Sequence, residues 1–213
     1  DLGIRAVEFD VRQLKDGELV IMHDDNFLRT TGIDKNLYEC TQADLNTYNQ
    51  ANIWMDWEKQ ITPTLVQSLN IMHDFKHLEV EVKAVETLQQ AERLIIELQK
   101  QLKGFEQTAV ITSFDLKIHQ ALQQQQSIFK RGLLVEDDIK EQAIEQALNL
   151  GCCQIGWMNQ LATDDIIQAT QKAQLNISVW TVNDIERAKH LQSLGIDGLI
   201  TDFPKMMLEH LSI

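Results

Sequence analysis

An α/β barrel of the TIM (β/α)8 type, entered after its first strand-helix unit, is the fold class this sequence predicts, and three observations carry it. Short β-rich runs alternate with longer amphipathic ones and no run of hairpins appears, which calls for a mostly parallel sheet covered by helices. In two of those runs acidic residues alternate with apolar ones, putting carboxylates on the face that a barrel turns inward. Neither G-x-G-x-x-G nor a P-loop occurs, so the usual first turn of an open, nucleotide-binding sheet is missing.

The strands fall at residues 4–11, 78–83, 108–113, 132–135, 152–156, 176–180 and 198–201. Residues 19–22 form a short extension, either a paired strand or part of the rim. Helical patterns cover residues 64–73, 84–102, 116–124, 139–148, 163–173, 185–194 and 205–211. Asp184 stands where an N-cap belongs, and Gly195 follows a helix ending in Leu194. Seven strands fall one short of a closed barrel. The expectation is therefore roughly twenty or more residues before Asp1, enough for one more strand and helix. Residues 34–62 are the longest break in the rhythm and contain Tyr38, Tyr48, Trp54 and Trp57. They read as a lid or rim insertion in a single domain spanning 1–213.

The chain has 213 residues and a formal net charge of −13. Clustered Lys and Arg are missing, which excludes a nucleic-acid groove, and the same acidity opposes adsorption to anionic membranes. No apolar run is long enough for stable membrane insertion. Cys40, Cys152 and Cys153 give no disulfide framework and no C-x-x-C spacing. That cysteine usage favours a reducing compartment, and a cytoplasmic setting is expected. Asn176-Ile177-Ser178 is formally a glycosylation acceptor, but it lies in a predicted buried strand. The oligomeric state stays open.

The chemistry begins at Val7-Glu8-Phe9-Asp10-Val11. Glu8 and Asp10 share one strand face, and Val7, Phe9 and Val11 share the other. The pattern returns at Leu78-Glu79-Val80-Glu81-Val82-Lys83, where Glu79, Glu81 and Lys83 share a face. An edge strand with one wet face gives the same alternation, yet a covered parallel sheet has no such face to offer twice. Ionised carboxylates turned into a core need a cation beside them. Glu8, Asp10 and Glu81 make an all-oxygen set suited to Mg2+ or Ca2+, and no His/Cys set suggests zinc. Lys83 is placed to contact a substrate oxygen. His23 follows the short apolar extension and precedes Asp24 and Asp25. It is either an ordinary surface residue or a general acid or base oriented by a carboxylate. Arg29-Thr30-Thr31-Gly32 reads as a turn. His73, His77, His119, His190 and His210 lie on or beside helical segments and are taken as structural or exposed. Ser113-Phe114-Asp115, Trp180-Thr181-Val182-Asn183 and Thr201-Asp202 each follow a strand. Trp180 is either a wall of the substrate pocket or a core tryptophan, and Asp202 a site residue or the cap of the last helix.

Taken in order, these residues resemble the glycerophosphodiester phosphodiesterase family. The likeness runs through the E-x-D strand at Glu8 and Asp10, Lys15-Asp16-Gly17, His23-Asp24 and Arg29-Thr30-Thr31. It continues through residues 61–65, the E-x-K strand at Glu81 and Lys83, Ser113-Phe114-Asp115 and Trp180-Thr181-Val182-Asn183. It ends at Gly195-Ile196-Asp197-Gly198 and Thr201-Asp202-Phe203-Pro204. The resemblance implies a barrel hydrolase that cleaves small glycerophosphodiesters to sn-glycerol 3-phosphate and an alcohol. It makes Glu8, Asp10 and Glu81 the metal ligands, His23 the second catalytic histidine, paired with one upstream of Asp1, and Lys83 the catalytic lysine; Lys83 and Trp180 are the expected substrate contacts. The family's H-R-G motif and the Glu-Asn after it lie upstream of Asp1, in keeping with the strand count. Three alternatives stay open: another barrel phosphodiesterase of phospholipase-D-like or phospholipase-C-like type, a catalytically impaired homologue lacking the first-strand histidine, and a non-catalytic binding protein.

Overall fold

The computed structural model describes residues 2–211. The strands are β1 (Ala6–Gln13), β2 (Leu19–Ile21), β3 (His77–Val82), β4 (Ala109–Ser113), β5 (Lys130–Val135), β6 (Gln154–Met158), β7 (Asn176–Trp180) and β8 (Gly198–Leu199). Among the described residues they form one sheet in the order β2-β1-β3-β4-β5-β6-β7-β8. From β1 to β8 the pairing is parallel, and β2 alone runs antiparallel, against the end of β1. The helices are α1 (Leu28–Thr31), α2 (Leu65–Ile71), α3 (Leu88–Gln101), α4 (Leu116–Gln124), α5 (Glu141–Asn149), α6 (Asp164–Lys172), α7 (Ile185–Ser193) and α8 (Pro204–His210).

A contact across the sheet shows that it is curled. Ser178 Oγ on β7 lies 3.2 Å from Glu79 Oε1 on β3. Four strand spacings of about 4.8 Å separate these strands along the sheet, so a flat sheet could not bring the two side chains together. The protein is an α/β barrel wall, as the alternation predicted. Outward strand residues pack on helices in two apolar clusters. One joins Phe9, Val11, Val80, Val82 and Ile111 to Leu94, Ile95 and Leu98 of α3 and Ile118 of α4. The other joins Leu133, Val135, Ile155, Trp157 and Val179 to Ile144, Ile167 and Leu191 on later helices. Inward positions are largely polar or glycine. At Gly156 the reason is space: a Cβ there would meet Leu134 Cδ2 at 2.5 Å and Ser178 Oγ at 3.0 Å.

Local chemistry moves several boundaries. β1 starts at Ala6 and continues to Gln13, because residues 19–21 fold back and pair with Val11, Arg12 and Gln13. Helix α3 begins at Leu88 rather than at Ala84. Thr87 Oγ1 accepts from the Gln90 N–H at 3.2 Å while Gln90 Oε1 accepts from the Thr87 N–H at 2.9 Å, a capping box that fixes the start. His77 opens strand β3 instead of flanking a helix. Asp184 caps α7 by accepting from the Arg187 N–H, and Gly195 takes the left-handed conformation after the same helix, both as predicted.

The hairpin and the 34–62 segment pack together around Leu14, Val20, Met22, Phe27, Leu37, Cys40, Leu45 and Tyr48. Tyr48 lies flat on Phe27 with ring centroids 4.2 Å apart, so it belongs to this small core. Trp54 and Trp57 are exposed.

Candidate active site

The parallel register sets Asp10 beside Glu81 and Glu8 beside Glu79. Since side chains alternate, Glu8, Asp10 and Glu81 all face the barrel lumen, Asp10 and Glu81 toward the C-terminal side of the β1–β3 pairing, where barrel sites are built, and Glu8 one step below them. One oxygen from each of the three lies within 4.8 Å of the others. Lys83, one residue past β3, is tied down by its N–H to the Val11 carbonyl. Its ammonium sits 2.7 Å from Asp10 Oδ1 and 2.5 Å from Glu81 Oε1. Lys83 thus answers one oxygen of Asp10 and one of Glu81, whereas Glu8 Oε1 is a buried oxygen with no hydrogen-bond partner.

The electrostatics are those of an under-neutralised acidic cluster. Burial, then the charges of Asp10, Glu81 and Glu79, push the Glu8 carboxyl up to about 8 against the pull of Lys83. Burial also raises Glu81, although Lys83 opposes it. At Lys83 burial works against the charge, but hydrogen bonds to Asp10 and Glu81 outweigh it and hold the ammonium above its usual range. Three carboxylates face one ammonium here, a deficit that one divalent cation would balance.

A stability test follows from Glu8. In cation-free protein the folded state holds this proton more tightly than the unfolded chain does. The contribution is therefore complete below the ordinary carboxylate range and is lost as pH rises from 4.5 to about 8. Glu8→Gln in excess chelator is expected to leave Tm nearly unchanged at pH 5 and to raise it at pH 9. After allowance for partial solvent screening, the gain should be about 1–2 kcal/mol, or roughly 2–8 °C. An equal shift at both pH values would show that Glu8 is not the group responsible.

His23 is brought to the same rim because β2 returns alongside β1, with the Met22 N–H donating to the Asp10 carbonyl at 3.0 Å. Arg12 holds the His23 carbonyl from Nε and Nη2 at 2.9 and 2.8 Å. The imidazole Nδ1 pairs with Asp24 Oδ1 at 2.7 Å, which leaves Nε2 as the ring atom open to solvent and substrate. Arg29 then grips Asp24 through Nε at 2.7 Å and Nη2 at 3.2 Å. That hydrogen bond, more than the one from His23, holds the Asp24 carboxyl below its ordinary value. Arg29 is thus part of an Arg29–Asp24–His23 chain rather than only a turn residue.

The remaining predicted residues divide. Trp180 is half-buried at the lumen end of β7, its Nε1 donating to the Gly156 carbonyl at 3.1 Å and its ring edge-on to Phe114 at 5.3 Å. Asp115 is structural: it accepts from the N–H groups of Val85 and Lys117 at 3.0 and 2.9 Å, joining the loop after Lys83 to the start of α4. Asp202 accepts from Asn183 Nδ2 at 2.8 Å and does not cap α8, whose N-cap is Phe203. Sequence reasoning missed Gln154 and Ser178, which reach Glu79 inside the lumen. The inward register of strands 152–156 and 176–180 was their only signal.

Three carboxylates, a lysine and a histidine gathered at one end of a parallel barrel sheet make an acidic candidate site of the kind that barrel enzymes carry. The chain belongs to the glycerophosphoryl diester phosphodiesterase family, a family of hydrolases, whose model matches residues 1–206. A glycerophosphodiester phosphodiesterase from Caldanaerobacter subterraneus subsp. tengcongensis is 24% identical over 211 residues, covering 98% of this chain and 86% of the relative. YhdW of Bacillus subtilis is 27% identical, covering 98% of this chain and 88% of YhdW. Among solved structures, a phosphodiesterase of Oleispira antarctica in complex with the product sn-glycerol-3-phosphate is similar at a TM-score of 0.86 and 22% identity. The match covers 98% of this chain and 85% of that one. The glycerophosphodiester phosphodiesterase of Agrobacterium tumefaciens str. C58 gives a TM-score of 0.79 at 21% identity, covering 98% and 88%.

Proposed function

We propose that this protein hydrolyses small, deacylated glycerophosphodiesters to sn-glycerol 3-phosphate and an alcohol, with a divalent cation, Mg2+ or Ca2+, held by Glu8, Asp10 and Glu81. The observation that carries the reading is the convergence of three carboxylate oxygens within 4.8 Å, about twice the 2.3–2.6 Å of a Ca2+–oxygen contact. The unpartnered Glu8 oxygen fits a hard cation, and so does the all-oxygen donor set. The product complex of the Oleispira antarctica relative supports the choice of substrate. When bound, the cation would neutralise phosphoryl oxygens and lower the pKa of a coordinated nucleophile.

The chain's own groups supply the rest. Two of the three Lys83 ammonium hydrogens are directed to Asp10 and Glu81, and the third is available to a phosphoryl oxygen. With Nδ1 engaged by Asp24, His23 moves protons at Nε2, either to the leaving alcohol oxygen as its bond to phosphorus breaks or from the attacking hydroxyl. Trp180 and the 34–62 segment border the rim as substrate wall and lid. Among the described residues no helix is long and apolar enough to cross a membrane, and the net charge of −13 opposes anionic bilayers.

Exhaustive chelation is expected to abolish turnover of glycerophosphocholine and glycerophosphoethanolamine, and add-back of Mg2+ or Ca2+ to restore it. Full activity after chelation would remove the cation from the reading. Faster turnover of intact phospholipid than of either deacylated diester would overturn the substrate assignment.

A further inference from the structure

Beside Glu8, and one step below Asp10 and Glu81, lies a fourth carboxylate that the catalytic reading leaves without a role. Glu79 is 4% exposed and sits in register with Glu8 on the neighbouring strand. Burying a charge is costly unless its surroundings answer it, and here they are built from donors. Gln154 Nε2 donates to Glu79 Oε2 at 2.9 Å and to Ser178 Oγ at 3.2 Å. That leaves the Ser178 hydroxyl hydrogen for Glu79 Oε1 at 3.2 Å. The nearest basic group, His77 Nε2, is 3.6 Å away on a side chain that is 42% exposed. A glutamine at position 79 could accept only one of these two hydrogen bonds, because its amide nitrogen donates. Two oxygens that only accept are those of an ionised carboxylate, and the sheet register sets this one beside Glu8.

We infer that Glu79 is a positioning residue acting through charge: it strengthens cation binding by Glu8, Asp10 and Glu81 from its place beside Glu8 and below Asp10 and Glu81, without contacting the cation. Glu79 lies outside the group whose oxygens converge, so its effect passes through the lumen as an electrostatic field. In a space shielded from water, such a field over a few ångströms changes cation affinity by about tenfold. The Gln154 and Ser178 donors keep the charge in place, and Gly156 leaves room for Ser178 to reach it. The inference rests on the cation reading of the rim site.

The test is calorimetric titration of chelator-stripped full chain with Mg2+ and with Ca2+. Glu79→Gln is expected to weaken binding about tenfold, with activity lost at low cation concentration and regained as the cation is raised. Ser178→Ala, which removes a hydrogen bond and leaves the charge, is expected to bind the cation almost as wild type does. Wild-type affinity in Glu79→Gln, or an equal loss in Ser178→Ala, would overturn the inference. Glu81→Gln serves as the site control. If wild type binds no cation, or Glu81→Gln binds as tightly as wild type, the rim reading itself fails and this inference falls with it. Should Glu79→Gln not fold, the exchange Glu79→Gln/Gln154→Glu keeps one carboxylate and one amide in the same network. Near-wild-type affinity in that variant supports the charge role, and binding as weak as in Glu81→Gln overturns it.

Discussion

Replacing His23 with glutamine is expected to lower kcat by about 10²–10⁴-fold, the usual contribution of one general acid-base group, while leaving cation affinity as it was. The two readouts separate because His23 bonds to Asp24 and not to any of the three rim carboxylates. The direction of the chain behind it sharpens the test. Arg29 holds Asp24, and Asp24 holds Nδ1. Arg29→Lys should therefore lower kcat by a smaller factor with KM little changed, because a lysine cannot reproduce the two-pronged grip on the carboxylate. A His23→Gln enzyme with wild-type kcat would show that the proton is carried elsewhere.

Glu81→Gln is the second large effect. One of three converging oxygens loses its charge, and Lys83 keeps only Asp10 as an anionic partner. Cation binding should become undetectable by calorimetry at concentrations that saturate wild type. Activity should fall by about 10²–10³-fold, comparable to removing one preorganised stabilising group from a transition state. The loss is expected to recover partly at high cation concentration, which would distinguish a weakened site from a misfolded one. Unaltered binding would remove Glu81 from the ligand set.

The carboxylate rim was legible because strand alternation is a strict rule. Val7-Glu8-Phe9-Asp10-Val11 and Leu78-Glu79-Val80-Glu81-Val82 each assign faces residue by residue, and the parallel order of the sheet then brings Asp10 beside Glu81. The strand sequence was legible for the same reason. Other features depend on geometry that no periodicity encodes. The Arg29 grip on Asp24 needs the left-handed turn at Gly32 and the short helix before it. The Glu79–Gln154–Ser178 network joins three distant stretches that meet only because the sheet curls. Helix α3 was placed too early because Ala84 and Val85 extend the apolar pattern, whereas Thr87 and Gln90 set the true start. Asp115 and Asp202 looked alike in sequence, each acidic and just past a strand. Asp115 caps α4, while Asp202 turns to Asn183 instead.

The small core formed by the hairpin and the 34–62 segment carries a consequence for how this enzyme can change. Met22, the residue before His23, belongs to that core, as does Phe27 in the loop leading to Arg29. The rim carboxylates and Lys83 instead stand on β1 and β3, whose outward neighbours Phe9, Val11, Val80 and Val82 belong to a separate apolar cluster. The proposed proton carrier and the rim carboxylates thus stand on two packing modules joined through the β1–β2 hairpin. On the proposed roles, changes in the outer module would alter how the leaving alcohol is met while the strand module keeps the charge arrangement beneath.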